Sequence, residues 1–130
     1  MSPQPEPRLS GLQLSLLRAL WDQGEGTVQS IRLALEGERP LAATTVATLL
    51  KRLEKRGLVS HRTEGRSFVY RAEKSAEEIE RTLVTGLVDD LYGGKAEALF
   101  ARLLSSDLVP GADLARIRAL IEEREAADGS

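Results

Sequence analysis

A mostly α (α+β) fold, in which helices precede and follow a single two-stranded hairpin, is predicted by three features of this 130-residue sequence. Apolar residues recur at helical spacing along most of the chain but give way to short β-branched and aromatic runs after Gly57. Glycines and prolines stand where the pattern changes. Charge is segregated: residues 43–71, "ATTVATLLKRLEKRGLVSHRTEGRSFVYR", hold seven Lys or Arg against two Glu, a net +5 in a chain that totals −2. Residues 72–130 hold seven basic and 13 acidic residues, a net −6. Positive charge gathered in one stretch points to an anionic partner there, and the acidic end is not expected to touch it.

The elements follow in order. Ser10 and Gln13 form a capping-box pattern and Leu9 and Leu14 a hydrophobic staple, so a first helix starts near Gly11. Leu12, Leu16, Leu20, Leu17 and Trp21 give it an inward stripe, Trp21 being a core residue by size and spacing, and Gly24 and Gly26 end it. Thr27 caps a second helix of about ten residues that buries Val28, Ile31 and Leu35 before Gly37 and Pro40. A third begins around Ala43 with Val46, Leu49, Leu50 and Leu53 on one face, and Gly57 stops it. At 100° per residue, Thr44, Thr48, Lys51 and Lys55 then share the opposite face, with Thr45 and Arg52 at its edge. "LVSHR" and "SFVYR" are strands, with Gly65 supplying the positive φ of a tight hairpin. Ser75 and Glu78 cap a fourth helix carrying Ile79, Leu83, Leu87 and Leu91 up to Gly93 and Gly94. Two more helical patterns follow, one with Leu99, Phe100, Leu103 and Leu104, the other after Pro110 with Leu114, Ile117, Leu120 and Ile121.

The composition, 42% apolar, is enough for one domain or two small ones sharing helices. With no cysteine and only His61, neither a disulfide, a metal centre nor a His-based triad is expected, and no cofactor. His61 reads as a strand surface residue, because no acidic or histidine partner lies near it in sequence. "MSPQPEPRL" is not a signal peptide, and no apolar run approaches the roughly 20 residues of a bilayer span. Residues 1–8 are expected to be disordered, residues 126–130 frayed, and the protein cytoplasmic without membrane insertion. Domain limits are expected at 9–74 and 75–125.

Helix, short helix, helix with a basic outer face, then an Arg-rich hairpin is the order of a winged helix-turn-helix, whose last helix enters the major groove of double-stranded DNA. Thr44, Thr45 and Thr48 suit base edges, including the thymine methyl, while Lys51, Arg52 and Lys55 reach phosphates. Arg62, Arg66 and Arg71 on the wing meet the backbone or the adjacent minor groove. The later apolar stripes, Ile79, Leu83, Leu87, Leu91, Leu99, Phe100, Leu103, Leu104, Leu114, Ile117, Leu120 and Ile121, exceed what such a domain covers and predict a homodimer.

"TTVATLLKRLEKRGLV" with "EGRSFVYR", preceded by "LLRALWDQGEGTVQSI", resembles the penicillinase-repressor family, the BlaI/MecI group of bacterial regulators. The resemblance covers about residues 9–125, with Thr44 to Tyr70 its specific part. It implies a dimeric winged-helix repressor on a palindromic operator with TACA and TGTA half-sites, serving β-lactamase or cell-wall-stress genes and so antibiotic resistance. By position, Thr45, Thr48 and Arg52 resemble the helix residues facing the operator and Arg66 the wing residue. Family members are released when a membrane sensor protease triggers cleavage in the dimerisation helices, a bond that falls near Arg102 and Leu103 here, where some relatives carry Asn and Phe. Ala42 and Ala43 depart from the serine or aspartate that relatives often place before the third helix, and the lack of cysteine excludes copper sensing by the route of the copper-responsive relatives.

Two other classes compete. A winged-helix protein-interaction module would turn the same basic face to an acidic protein partner and show no palindrome preference. An enzyme has little support: Asp89, Asp90, Glu122 and Glu123 lie in helical runs with no nucleophile or metal partner.

Overall fold

Ser10 lies in extended backbone with its hydroxyl accepting from the Gln13 N–H at 3.1 Å, while the Gln13 side chain accepts from the Ser10 N–H at 3.0 Å. This reciprocal cap starts α1, Gly11–Gln23. The computed structural model describes residues 9–129, so the expectation for residues 1–8 lies outside the described residues, as does Ser130. The Thr27 hydroxyl caps α2, Val28–Leu35, at 3.0 Å, and the Ser30 hydroxyl in turn accepts from the Thr27 N–H at 2.9 Å. The third helix, α3, spans Ala43–Lys55, and its N-cap Ala42 offers no side-chain hydrogen bond.

The hairpin pairs β1, Val59–Glu64, with β2, Ser67–Ala72, in register from Val59↔Ala72 to Glu64↔Ser67. That register leaves Gly65 and Arg66 as a two-residue loop. Gly65 has φ 62° and Arg66 does not have a positive φ, the pattern of a type II′ turn, which suits the twist of the flanking strands. Gly26, in the turn between α1 and α2, adds a short bridge to the sheet: its N–H donates to Tyr70 O at 2.9 Å and its carbonyl accepts from Tyr70 N at 2.7 Å. A Cβ on Gly26 would stand 2.6 Å from Gln23 Oε1, 3.0 Å from Ser30 Oγ and 3.2 Å from Ile31 Cγ1, so a side chain there would have to displace the Gln23 amide.

Leu16, Leu17 and Leu20 of α1, Ile31 of α2 and Val46, Leu50 and Leu53 of α3 close on one another and on Val59 and Tyr70 of the hairpin. Trp21 packs on the edge of this core and its indole N–H donates to Lys74 O at 2.9 Å, tying α1 to the segment that leaves β2.

Ser75 and Glu78 cap α4, Ala76–Tyr92, as a third reciprocal pair at 2.9 and 3.0 Å. Ile79 on its first turn is only 4% exposed, inside the core just described, and Leu83 packs beside it. The chain divides into two compact units after Val84, within α4 and not at its start. Ile79 and Leu83, expected among the dimer-forming residues, are therefore used within the first unit: a capped helix leaving the hairpin turns its first apolar residues onto the nearest uncovered core. The second unit holds the rest of α4, then α5, Ala96–Leu104, and α6, Gly111–Asp128. Residues 126–128, expected to be frayed, are helical, and Arg124 reaches Asp128 one turn on at 3.1 Å. No residue of α5 or α6 is fully buried. Among the described residues no helix is long and apolar enough to cross a membrane.

Candidate nucleic-acid interface

On α3 the buried residues Val46, Leu49, Leu50 and Leu53 fix which side faces out. Thr44, Thr45, Thr48, Lys51, Arg52 and Lys55 are all exposed, as the spacing predicts. None of the six makes a side-chain hydrogen bond or ion pair among the described residues. Their donors and charges are directed to solvent on a face about three turns long, the dimension of a helix that lies in a major groove.

The wing arginines differ from one another. Arg66 occupies the hairpin loop, exposed and without an ion pair among the described residues. Arg71 hydrogen-bonds Ser60 Oγ at 3.4 Å and pairs with Glu73 at 3.4 Å, and the Ser60 hydroxyl donates to Glu73. Arg62 is held on both sides: Nη1 and Nη2 meet the two Glu25 oxygens at 2.6 and 3.0 Å, while Nε and Nη2 meet Glu64 Oε2 at 2.9 and 2.7 Å. The bond from Arg62 holds the Glu25 carboxyl below the usual carboxylate range, and Arg62 is raised above the usual guanidinium value, first by Glu25 and then by Glu64. Arg62 thus braces the α1–α2 turn to the wing, with its charge matched by two carboxylates. Glu25 lies 37 residues away, so sequence spacing gave no sign of it.

His61 also has a partner that the sequence reading missed. Its Nδ1 stands 2.8 Å from Glu54 Oε1, and the ring is stacked on Phe68 with centroids 4.2 Å apart. The expectation that no acid lies nearby fails because the turn at Gly57 folds β1 back along α3.

In the second unit, Phe100, Leu103, Leu104, Val109, Ile117, Leu120 and Ile121 line an open apolar groove of about 380 Å³, rimmed by Arg124 and Glu125. Leu87, Leu91 and Leu114 are also exposed, whereas Leu99, like Leu103 and Ile117, is half-buried.

Three packed helices, the third presenting an exposed polar and basic face beside an arginine-tipped hairpin, define a winged helix-turn-helix protein of the DNA-binding class. A model of the family described as the penicillinase repressor matches residues 9–123, and the chain belongs to that family. It is 32% identical to the transcriptional regulator BlaI of Mycobacterium tuberculosis over 130 aligned positions, covering 95% of this chain and 89% of that protein. It is 22% identical to the penicillinase repressor of Bacillus licheniformis, covering 92% of this chain and 93% of that one. Among solved structures, the DNA-binding domain of the repressor BlaI superposes with a TM-score of 0.51 at 25% identity, over 58% of this chain and 93% of that domain. The protein is a DNA-binding transcriptional repressor.

Proposed function

We propose that the protein binds a palindromic operator as a homodimer, each first unit reading one half-site and the second units holding the pair together. The observation that carries this reading is the outward face of α3, where six polar or basic side chains have no partner among the described residues. Thr44, Thr45 and Thr48 read base edges, Lys51, Arg52 and Lys55 meet phosphates, and Arg66 in the wing loop meets the flanking backbone or minor groove. Arg71 joins it from the wing surface, 62% exposed despite its bond to Glu73. Arg62 contributes by placing the wing, since its guanidinium is already on Glu25 and Glu64.

The apolar groove between α5 and α6, with exposed Leu87, Leu91 and Leu114, supports dimerisation through the second unit, because a lone chain leaves that surface in water. Repression is relieved when the second units no longer couple the two readers. Cleavage near Arg102 and Leu103 is one route: α5 is nine residues long, lacks a side-chain cap and buries no residue fully, so it opens at little cost. A membrane sensor protease answering cell-wall stress, with the repressor in the cytoplasm, completes this reading. Selection of bound sequences from a random DNA pool tests it. A two-fold symmetric consensus is expected, and a pool that yields no consensus, or a single unrepeated site, overturns the reading.

A further inference from the structure

Glu54 is the only carboxylate on α3, and it pairs neither with Lys51 nor with Lys55 of its own helix. Instead it faces His61 of β1, whose Nδ1 lies 2.8 Å from one carboxylate oxygen and 2.9 Å from the other. The imidazole continues the contact into β2: it is stacked on Phe68 at 4.2 Å with 24° between the planes, and tilted against Tyr70 at 5.3 Å. Tyr70 is buried and its backbone is bridged to Gly26. One imidazole therefore joins the DNA-facing helix to both strands of the wing.

We propose that Glu54 and His61 form a positioning pair that sets the angle of the wing against α3, so that discrimination between DNA sequences strengthens when the imidazole is protonated. The proposal rests on the sequence-specific reading above. A neutral imidazole with its proton on Nδ1 donates an ordinary hydrogen bond to Glu54, and an imidazolium donates a charge-assisted one, shorter and more tightly oriented. The other groups facing this ring do not compete for the role. From α3, Lys51 and Lys55 are exposed with no partner among the described residues. From β2, the Tyr70 phenol is raised by burial and then by the charge of Glu54, so it stays neutral, and Phe68 carries no charge. On the opposite face of the hairpin, Arg62 is committed to Glu25 and Glu64.

The test compares affinity for a duplex chosen by pool selection with affinity for its scrambled counterpart, at fixed salt, near pH 6 and near pH 8. Both duplexes carry the same phosphates, so the added positive charge of an imidazolium cancels in their ratio. For the unmodified protein the ratio is expected to fall about two- to fivefold between the lower and the higher pH, the scale of a partly exposed charged pair. Glu54→Gln, which keeps the imidazole but removes its anionic partner, is expected to give a ratio flat with pH, and so is His61→Gln. Thermal melting of the free variants establishes that each is folded at both pH values. A Glu54→Gln protein whose ratio falls as the parent's does overturns the proposal, as does a parent ratio that is flat. Failure of the underlying reading looks different: the parent then prefers neither duplex at either pH.

Discussion

Arg52 and Arg62 are the same side chain ten residues apart, yet the first has no partner among the described residues and the second has two carboxylates. Charge available to a ligand is the charge left after the fold has used what it needs, so a count of basic residues overstates the wing and not the helix. Two outcomes follow at this scale. Lys51→Ala is expected to weaken specific and scrambled duplexes alike and to reduce the salt slope by about 1 per subunit, whereas Thr48→Ala acts mainly on the preferred site, by about 1–3 kcal/mol. Binding titrations at several salt concentrations check both. The second outcome concerns Glu25, whose folded value is depressed below its value in the unfolded chain by the bond from Arg62. The stabilisation it gives is present above the ordinary carboxylate range and is lost as pH falls through the depressed folded value. Acidification should therefore lower the melting temperature of the parent more steeply than that of Glu25→Gln, as thermal melts across the acid limb will read, with a small amplitude because the pair is half exposed.

Among the elements, the helices that begin with a side-chain cap are α1, α2 and α4, and α3, the helix proposed to face DNA, is not among them. Ala42 has the extended backbone of an N-cap, φ −70° and ψ 153°, with no oxygen to offer the first N–H groups. Ala42→Ser is expected to add about 1 kcal/mol to the stability of the first unit, which thermal or urea unfolding would show as a rise in Tm of several degrees. The free N–H groups at this end are also where a phosphate is best placed, so part of that gain should disappear in the DNA complex. The wing shows the other way that an element is set: a two-residue loop with Gly65 at φ 62° fixes the register. That register places Val59, His61, Tyr70 and Phe68 toward α3, and Ser60, Arg62, Val69 and Arg71 away from it.

For the whole molecule, the decisive feature is that the chain divides into its two compact units after Val84, within the α4 segment. A truncation after Lys74, at the end of the winged pattern in the sequence, would remove Ile79 from the core, a loss of about 2–5 kcal/mol on the scale of large-to-small core changes. Truncation after Val84 is the better cut, expected to leave a folded monomer by sedimentation. With about four phosphate contacts per subunit, the dimer should show a log–log salt slope near −7 and the truncated monomer about half of that. Affinity should fall by more than the slope alone explains, because the second reader is no longer held at high effective concentration. If induction is by cleavage, cells challenged with a cell-wall antibiotic should lose the intact chain and gain a fragment ending near Arg102, as an immunoblot would show; unchanged length while the target gene turns on eliminates that route.

Local rules were enough for most of the first unit. Ser10 with Gln13, Thr27, the stripe from Val46 to Leu53 and Gly65 each specify their own helix cap, buried face or turn within a few residues, and the outward face of α3 follows from the position of its buried one. The family, too, was legible in the stretch from Thr44 to Tyr70. What only the tertiary structure decided is how side chains distant in sequence are shared: Glu25 with Arg62, Glu54 with His61, Trp21 with the Lys74 carbonyl, and Ile79 with a core that periodicity assigned to other helices. Helical spacing says that Ile79 must be buried but not against what, and charge says that Arg62 attracts a carboxylate but not which one. Those choices depend on distances across the fold, which are set by packing the elements together and appear in none of them alone.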